Sequence, residues 1–250
     1  MKKQIAIQGF KGSYSDEAVQ KVFQKNSQRC ALIENSTFKD AFDSIRKYGL
    51  GLIPVENSTA GFVEETVDEL SSGEFEILGE FLLPVRHHLL GLLGSKIGDI
   101  KIAYSHYQAL AQTSSFLEKN EIEIMDYGDT AGGAKFVFDE KDMSKAAVGS
   151  KILAKIYNLK ILEKNINNEE GNVTRFFLIR NKKKQKEFCD FKIKKVIKNA
   201  VIFKTKNIPG ALYKALGGFA TNNVNLTKII SRPIPGQKFA YMFFIEFDGK

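Results

Sequence analysis

The sequence predicts an α/β domain followed by a small α+β module, and three observations carry the prediction. Up to Arg180, short apolar runs alternate with amphipathic stretches, as when strands pack between helices. A lysine-rich segment, RNKKKQKEFCDFKIKK, then interrupts the pattern. Beyond it the texture changes to strand, helix, strand, strand. These features set a first domain at residues 1–181, a basic linker at 182–196 and a second module at 197–250.

Taken in order, QIAIQGF reads as the first strand, and SDEAVQKVFQK as a helix capped by Ser15 or Ser13. STFKDAFDSIRKY follows as a second helix, because Phe38, Ala41, Phe42 and Ile45 recur at helical spacing. GLGLIPV has the length and apolar continuity of a buried strand. KIAYSH, IEIMDYG and AAVGS are further strands, each followed by a helical stretch, and the repetition predicts parallel pairing. RFFLI closes the domain as a buried strand between the turn signal Gly171-Asn172 and Asn181. In the module, AVIFKTK, VNLTKIISR and FAYMFFIEFDG supply strands, and Pro209 is expected to open the helix.

The composition is that of a globular protein, 43% hydrophobic and 26% charged over 250 residues. No stretch approaches the roughly 18 uncharged apolar residues of a membrane span. The best candidate, FLLPVRHHLLGLLG, is broken by Pro84, Arg86, His87 and His88. The opening MKKQIAIQGF lacks the apolar core of a leader, so a cytoplasmic protein without membrane association is expected. Cys30 and Cys189 lie far apart, with no CxxC and no histidine at ligand spacing, so both are expected to be reduced and structural and no metal is expected. Much of the net charge of +8 comes from the lysine-rich segment, which argues for a solvated linker and against nucleic acid. A basic protein also suits an anionic small-molecule substrate.

Polar clusters sit where strands end and helices begin: PVENSTAG, YSHYQAL and DYGDTAGGAK. In open α/β sheets ligands gather at such junctions, and helix N-terminal amides suit carboxylate or phosphate. Capping alone explains Ser58, Ser105 and Thr130; it explains Glu56 and Asn57 less readily. Thr174 and Arg175 stand at the mouth of the RFFLI strand, where they either donate hydrogen bonds to an anionic ligand or cap the strand and pair with a carboxylate.

Together, GxxGSYS (Gly9, Gly12, Ser13, Tyr14, Ser15), PVENS (Pro54 to Ser58), SHYQALAQ (Ser105 to Gln112), DTAGGAK (Asp129 to Lys135) and NVTRFFLI (Asn172 to Ile179) resemble, in order, the motifs of prephenate dehydratases. PGALYKAL and ISRP resemble the regulatory ACT domain of the same enzymes, so the likeness covers essentially the whole chain. The resemblance implies a catalytic domain of two lobes, folded like a type II periplasmic binding protein, with PVENS and TRF in one lobe and SHYQAL and DTAGGAK in the other. It implies conversion of prephenate to phenylpyruvate, carbon dioxide and water in phenylalanine biosynthesis, with no cofactor. Arogenate dehydration and a non-catalytic aromatic-acid or amino-acid sensor are the alternatives.

The family pattern points to Thr174 as proton donor, either directly or in a relay. Glu56 competes as an acid kept protonated by desolvation beside an anionic substrate. Arg175 should hold the pyruvyl carboxylate or brace the strand, since gripping the departing carboxylate would stabilise charge that the transition state loses. Asn57, Ser58, Ser105, Gln108, Gln112, Thr130, Ala131, Gly132 and Phe176 complete the expected substrate site. None of His87, His88 and His106 is expected to be a catalyst. Gly210, Ala211, Leu212, Asn225, Leu226 and Ser231 are the implied phenylalanine-binding residues, in a homodimer or homotetramer.

Departures from the family pattern are Tyr107 for proline, Gly133 for alanine and Ile230 for the glutamate of ESRP. Gly133 should loosen its helix by about 1 kcal/mol relative to alanine. The module also stops after its third strand, where the ACT pattern has a further helix and strand, so phenylalanine inhibition is expected to be weak or absent.

Overall fold

Strand β1 (Gln4–Gln8) buries Ile5, Ala6 and Ile7 completely, and helix α1 (Tyr14–Gln24) packs Ala18, Val19 and Phe23 against one face. Of the two serines expected to cap α1, Ser13 does so, accepting from Asp16 N–H at 3.3 Å. Strand β2 (Ala31–Asn35) leads to helix α2 (Phe38–Tyr48), which is capped by Thr37 and turns its Ala41, Phe42 and Ile45 stripe inward on the opposite face. Its end is a left-handed Gly49 at φ 95°, which delivers the chain into β3 (Leu50–Asn57). A short β4 (Gly61–Phe62), helix α3 (Glu64–Leu70) and the long β5 (Phe75–Pro84) complete the first lobe. The computed structural model describes residues 4–24, 30–187, 198–234 and 236–249.

The chain crosses to the second lobe at Val85–His87 and builds β6 (His88–Gly91), β7 (Ile102–Ser105), α4 (Tyr107–Ala111), α5 (Ser114–Lys119), β8 (Glu123–Asp126), α6 (Thr130–Glu140), β9 (Lys145–Gly149), α7 (Lys151–Ile156) and β10 (Lys160–Glu163). It then returns as β11 (Val173–Asn181) into the first sheet, whose order is β2-β1-β3-β11-β5 with β4 on β3. The second sheet runs β10-β6-β9-β7-β8. The crossings are tied together by Val85 N–H to Asn172 O at 2.8 Å and Ile166 N–H to His87 O at 2.9 Å.

The predicted parallel pairing holds for β7 with β8 and β9, and β1 also pairs in parallel with β2 and β3. The RFFLI strand departs from it: β11 is antiparallel to both β3 and β5, because it re-enters the sheet from the other lobe. Its register sets Thr174 opposite Asn57 and Arg175 opposite Glu56, so two motifs more than a hundred residues apart become cross-strand neighbours.

The C-terminal module is β12 (Lys198–Lys204), α8 (Ala211–Thr221), β13 (Leu226–Pro233) and β14 (Tyr241–Asp248), in sheet order β12-β14-β13. Its helix opens two residues later than expected: Pro209 lies in the preceding turn, and Gly210 at φ 75° is the N-cap before Ala211. Alternation divides β14 into two faces. Ile245 is buried on the face of Phe247, which meets Phe219 of α8, whereas Phe244 joins the first lobe's core with Ile202 and Ile230 packed beside it. Ile230 therefore helps seat the module on the first lobe. Of the predicted linker, Lys182–Glu187 form a 3-10 turn and the rest, with Cys189, lies outside the described residues.

Candidate active site

Between the lobes lies a cleft of about 720 Å³. The first lobe lines it with Gln8, Phe10, Ser13, Tyr14, Asn57, Phe62, Thr174 and Phe176; the second with His106, Tyr107, Gln108, Gln112, Asp129 and Thr130; His87 stands at the crossing. The C-terminal ends of β1, β3 and β7 all open into it, as expected for a ligand site in an α/β protein. Helices α1 and α6 begin at its rim and direct their positive ends toward it. The N-cap of α6 is Asp129, accepting from Gly132 N–H at 2.7 Å, and that of α4 is His106, accepting from Gln108 N–H at 3.3 Å. Thr130 and Ser105 are thus one residue off the capping roles read from the sequence.

Thr174, Asn57, Gln108, Gln112, Thr130 and Phe176 of the expected site meet at this cleft. Asn57 Nδ2 donates to Thr174 Oγ1 at 3.0 Å. Ser105 is fully buried, and its hydroxyl donates to Val148 O at 2.6 Å, a tie between neighbouring strands that keeps a polar atom satisfied in the core. Ser58 stitches the loop to the returning strand, donating to Gly171 O at 3.3 Å and accepting from Val173 N–H at 2.9 Å. Ala131 is buried in the second lobe's core, and Gly132 is occupied at the start of α6. Gly133 has a packing reason: a Cβ there would stand 3.0 Å from Tyr104 O, so the glycine lets α6 lie close on β7.

Glu56 reaches the cleft wall, yet its carboxylate is occupied by Lys228 Nζ of the module and lies 3.6 Å from Arg175 Nη1. Arg175 turns to the opposite face of the strand from Thr174. It binds Glu80 at 2.8 Å through Nε and Glu246 at 2.9 Å through Nη2, and its guanidinium stacks 4.8 Å from the Phe177 ring centroid. Burial opposes its charge, but Glu246 and Glu80 outweigh that and raise its pKa. Of the two roles left open for Arg175, this geometry serves bracing. Lys198 joins Glu80 at 3.0 Å, and Arg232 joins Asp68 at 2.8 Å and Glu64, so ion pairs surround the apolar contact between module and lobe.

Sequence reasoning assigned no role in the site to His87, or to Tyr14 and Asn172 within their motifs. His87 is only 3% exposed, held between Tyr14 Oη at 2.9 Å and Gln112 Oε1 at 3.1 Å. His106, not expected to be a catalyst, lines the cleft. Burial is the main cause that lowers the His87 pKa from 6.5 to about 4; the Gln112 hydrogen bond opposes the shift and His88 adds to it. Between these values the unfolded chain binds a proton that the folded chain refuses. Stability from this group is therefore complete above pH 6.5 and is lost as pH falls toward 4, a change of about 3 kcal/mol. Urea midpoints at pH 7.5 and 4.5 should show this acid sensitivity in the wild type and much less of it in His87→Gln.

The model of the family described as prephenate dehydratase matches residues 5–184. Over 241 residues the chain is 38% identical to a prephenate dehydratase of Methanocaldococcus jannaschii, covering 96% of this chain and 86% of that one. The solved structure of GqqA, described as a novel type of quorum quenching acylase, is 30% identical with a TM-score of 0.84, over 99% of this chain and 88% of that one. A prephenate dehydratase from Arthrobacter aurescens, solved with L-Phe, is 25% identical with a TM-score of 0.84, over 98% and 80%. With a family model covering most of its length and a relative similar almost end to end, the chain belongs to the prephenate dehydratase family.

Proposed function

We propose that the cleft binds prephenate and that Thr174 assists departure of its ring hydroxyl, giving phenylpyruvate, carbon dioxide and water. The observation that carries the proposal is the Thr174 hydroxyl itself. It accepts from Asn57, and among the described residues no side chain or carbonyl accepts from it, which leaves its hydrogen free to point into the cleft. As the C4–O bond breaks, a hydrogen bond from it stabilises the departing oxygen, while the C1–carboxylate bond supplies the electron pair that completes the aromatic ring. Full transfer would leave an alkoxide, so the proton that turns hydroxide into water is made good from solvent. Assistance of this kind is worth about 10²–10⁴-fold.

The N-termini of α1 and α6, with Ser13, Gln108 and Thr130, are the donors for the pyruvyl carboxylate. Phe10, Phe62 and Phe176 give the ring an apolar wall, and the cation nearest on this strand, Arg175, is turned away. That leaves the departing carboxylate without a stabilising partner, as faster decarboxylation requires. Glu56 ties the strand to the module through Lys228.

The module is read as an ACT-like site for L-phenylalanine, the ligand with which the Arthrobacter relative was solved; with Ile230 in place of the glutamate, weak or no inhibition is expected. Gly210, Ala211, Leu212 and Ser231 lie at one end of its sheet, whereas Asn225 and Leu226 start β13 at the other, so one pocket using both groups requires a second copy of the chain. A cytoplasmic homo-oligomer is the form proposed.

Turnover decides the function. Purified protein should release phenylpyruvate from prephenate; failure to do so, with arogenate giving phenylalanine in a parallel reaction, would move the assignment to arogenate. Release of an acyl group from an acylated substrate, with neither dehydration, would place the chain with GqqA.

A further inference from the structure

We infer that Asn172, His87 and Tyr14 are positioning residues for Thr174, joined to it through Asn57 and Gln112 in a hydrogen-bond chain that runs in one direction only. The role given to Thr174 rests on the dehydratase reading; the direction of the chain does not.

The direction is set at the backbone. Asn57 Oδ1 accepts the N–H groups of Thr59 at 3.0 Å and Ala60 at 2.8 Å. A peptide N–H only donates, so the amide of Asn57 has a single possible orientation, with its NH₂ on the other side. Those hydrogens go to Asn172 Oδ1 at 2.7 Å and Thr174 Oγ1 at 3.0 Å, with Val173 O a longer third acceptor at 3.4 Å. Asn172 has then given its oxygen to Asn57, and its NH₂ donates to Gln112 Oε1 at 2.7 Å. The same Gln112 oxygen stands 3.1 Å from His87 Nε2, and only an N–H can face it there.

A neutral imidazole carries one ring proton. Burial keeps His87 neutral at pH 7, so with the proton on Nε2 the lone pair is on Nδ1 and accepts the Tyr14 hydroxyl at 2.9 Å. Tyr14 Oη also lies 3.0 Å from Arg86 O, which shares its proton, and burial raises the phenol's pKa so that it remains a donor. The chain thus crosses from the first lobe through both connections and back. At its far end Thr174 always receives a hydrogen from Asn57 and turns its own outward. Reversing Asn57 or Asn172 would put oxygen against oxygen, and reversing Gln112 would put its NH₂ against the donors of Asn172 and His87.

Histidine labelled with ¹⁵N tests this, since the chain has three histidines and His87→Gln identifies the signals of His87. At pH 7.5 without substrate, wild-type His87 should show a protonated Nε2 and a bare Nδ1. Asn172→Asp replaces the donor by an acceptor of the same shape; Gln112 should turn, and the His87 proton should move to Nδ1. With prephenate, kcat of this variant should fall on the order of 10-fold or more while KM stays within about twofold, as for a misplaced donor. A wild-type Nδ1–H tautomer overturns the inference even if the variant does not fold. An unmoved tautomer or an unchanged kcat in folded Asn172→Asp overturns it as well. Wild-type turnover of prephenate, run alongside, separates failure of the dehydratase reading from failure of the chain.

Discussion

Thr174→Ala is expected to lower kcat by about 10²-fold or more and to leave KM within about twofold. The asymmetry follows from where the hydroxyl acts. In the bound substrate the ring hydroxyl is neutral and gains little from one more hydrogen bond, whereas the departing oxygen develops negative charge and gains much. Thr174→Ser keeps the oxygen next to Asn57 and should recover most of the rate; Thr174→Val keeps the shape and should not. A near-wild-type kcat in the alanine variant would remove this hydroxyl from the chemistry.

Arg175→Ala is expected to destabilise the protein by about 3–5 kcal/mol, the cost of leaving a buried charge without its partner. Glu246 is 3% exposed, its Oε2 binds Arg175 at 2.9 Å, and among the described residues its Oε1 has no hydrogen-bond partner. Arg175 is thus the cation that makes this carboxylate tolerable beneath the module. Glu246→Gln in the Arg175→Ala background should recover part of the loss, because a neutral amide is less costly to bury than a charge. A denaturant midpoint near wild type in Arg175→Ala, or no recovery in the double variant, would show that the seam does not depend on this pair.

Elements with strong local periodicity were legible in the sequence. The Phe38, Ala41, Phe42 and Ile45 stripe, the β1 and β3 runs and the order of the module's elements follow from patterns within a dozen residues. The direction of β11 was not legible, because it depends on a lobe intervening between β5 and β11. Strands β5 and β10 were missed for a related reason: both carry exposed or half-buried residues along much of their length and lack a continuous apolar run.

The site shows the same division. Motif residues at strand ends, such as Asn57 and Thr174, were found as types and confirmed as neighbours by register. Side-chain direction decided the rest. Successive residues of a strand face opposite ways, so Thr174 enters the cleft while Arg175 meets Glu246 and Glu80. His87 carried no local signal. Its partners Tyr14 and Gln112 are 73 and 25 residues away, and only the closed fold brings them together. Lys228 and Ile230 belong to the module by sequence, but their side chains complete the face that seats on the first lobe.

Where the ligand sits is the claim on which the account depends most. Titrating phenylpyruvate into protein with labelled threonine methyl groups tests it directly. Thr174 and Thr130, on opposite walls of the cleft, should shift together and saturate at one ligand per chain. Shifts confined to Thr221 and Thr227 of the module, with Thr174 and Thr130 unmoved, would place the ligand elsewhere and contradict the account.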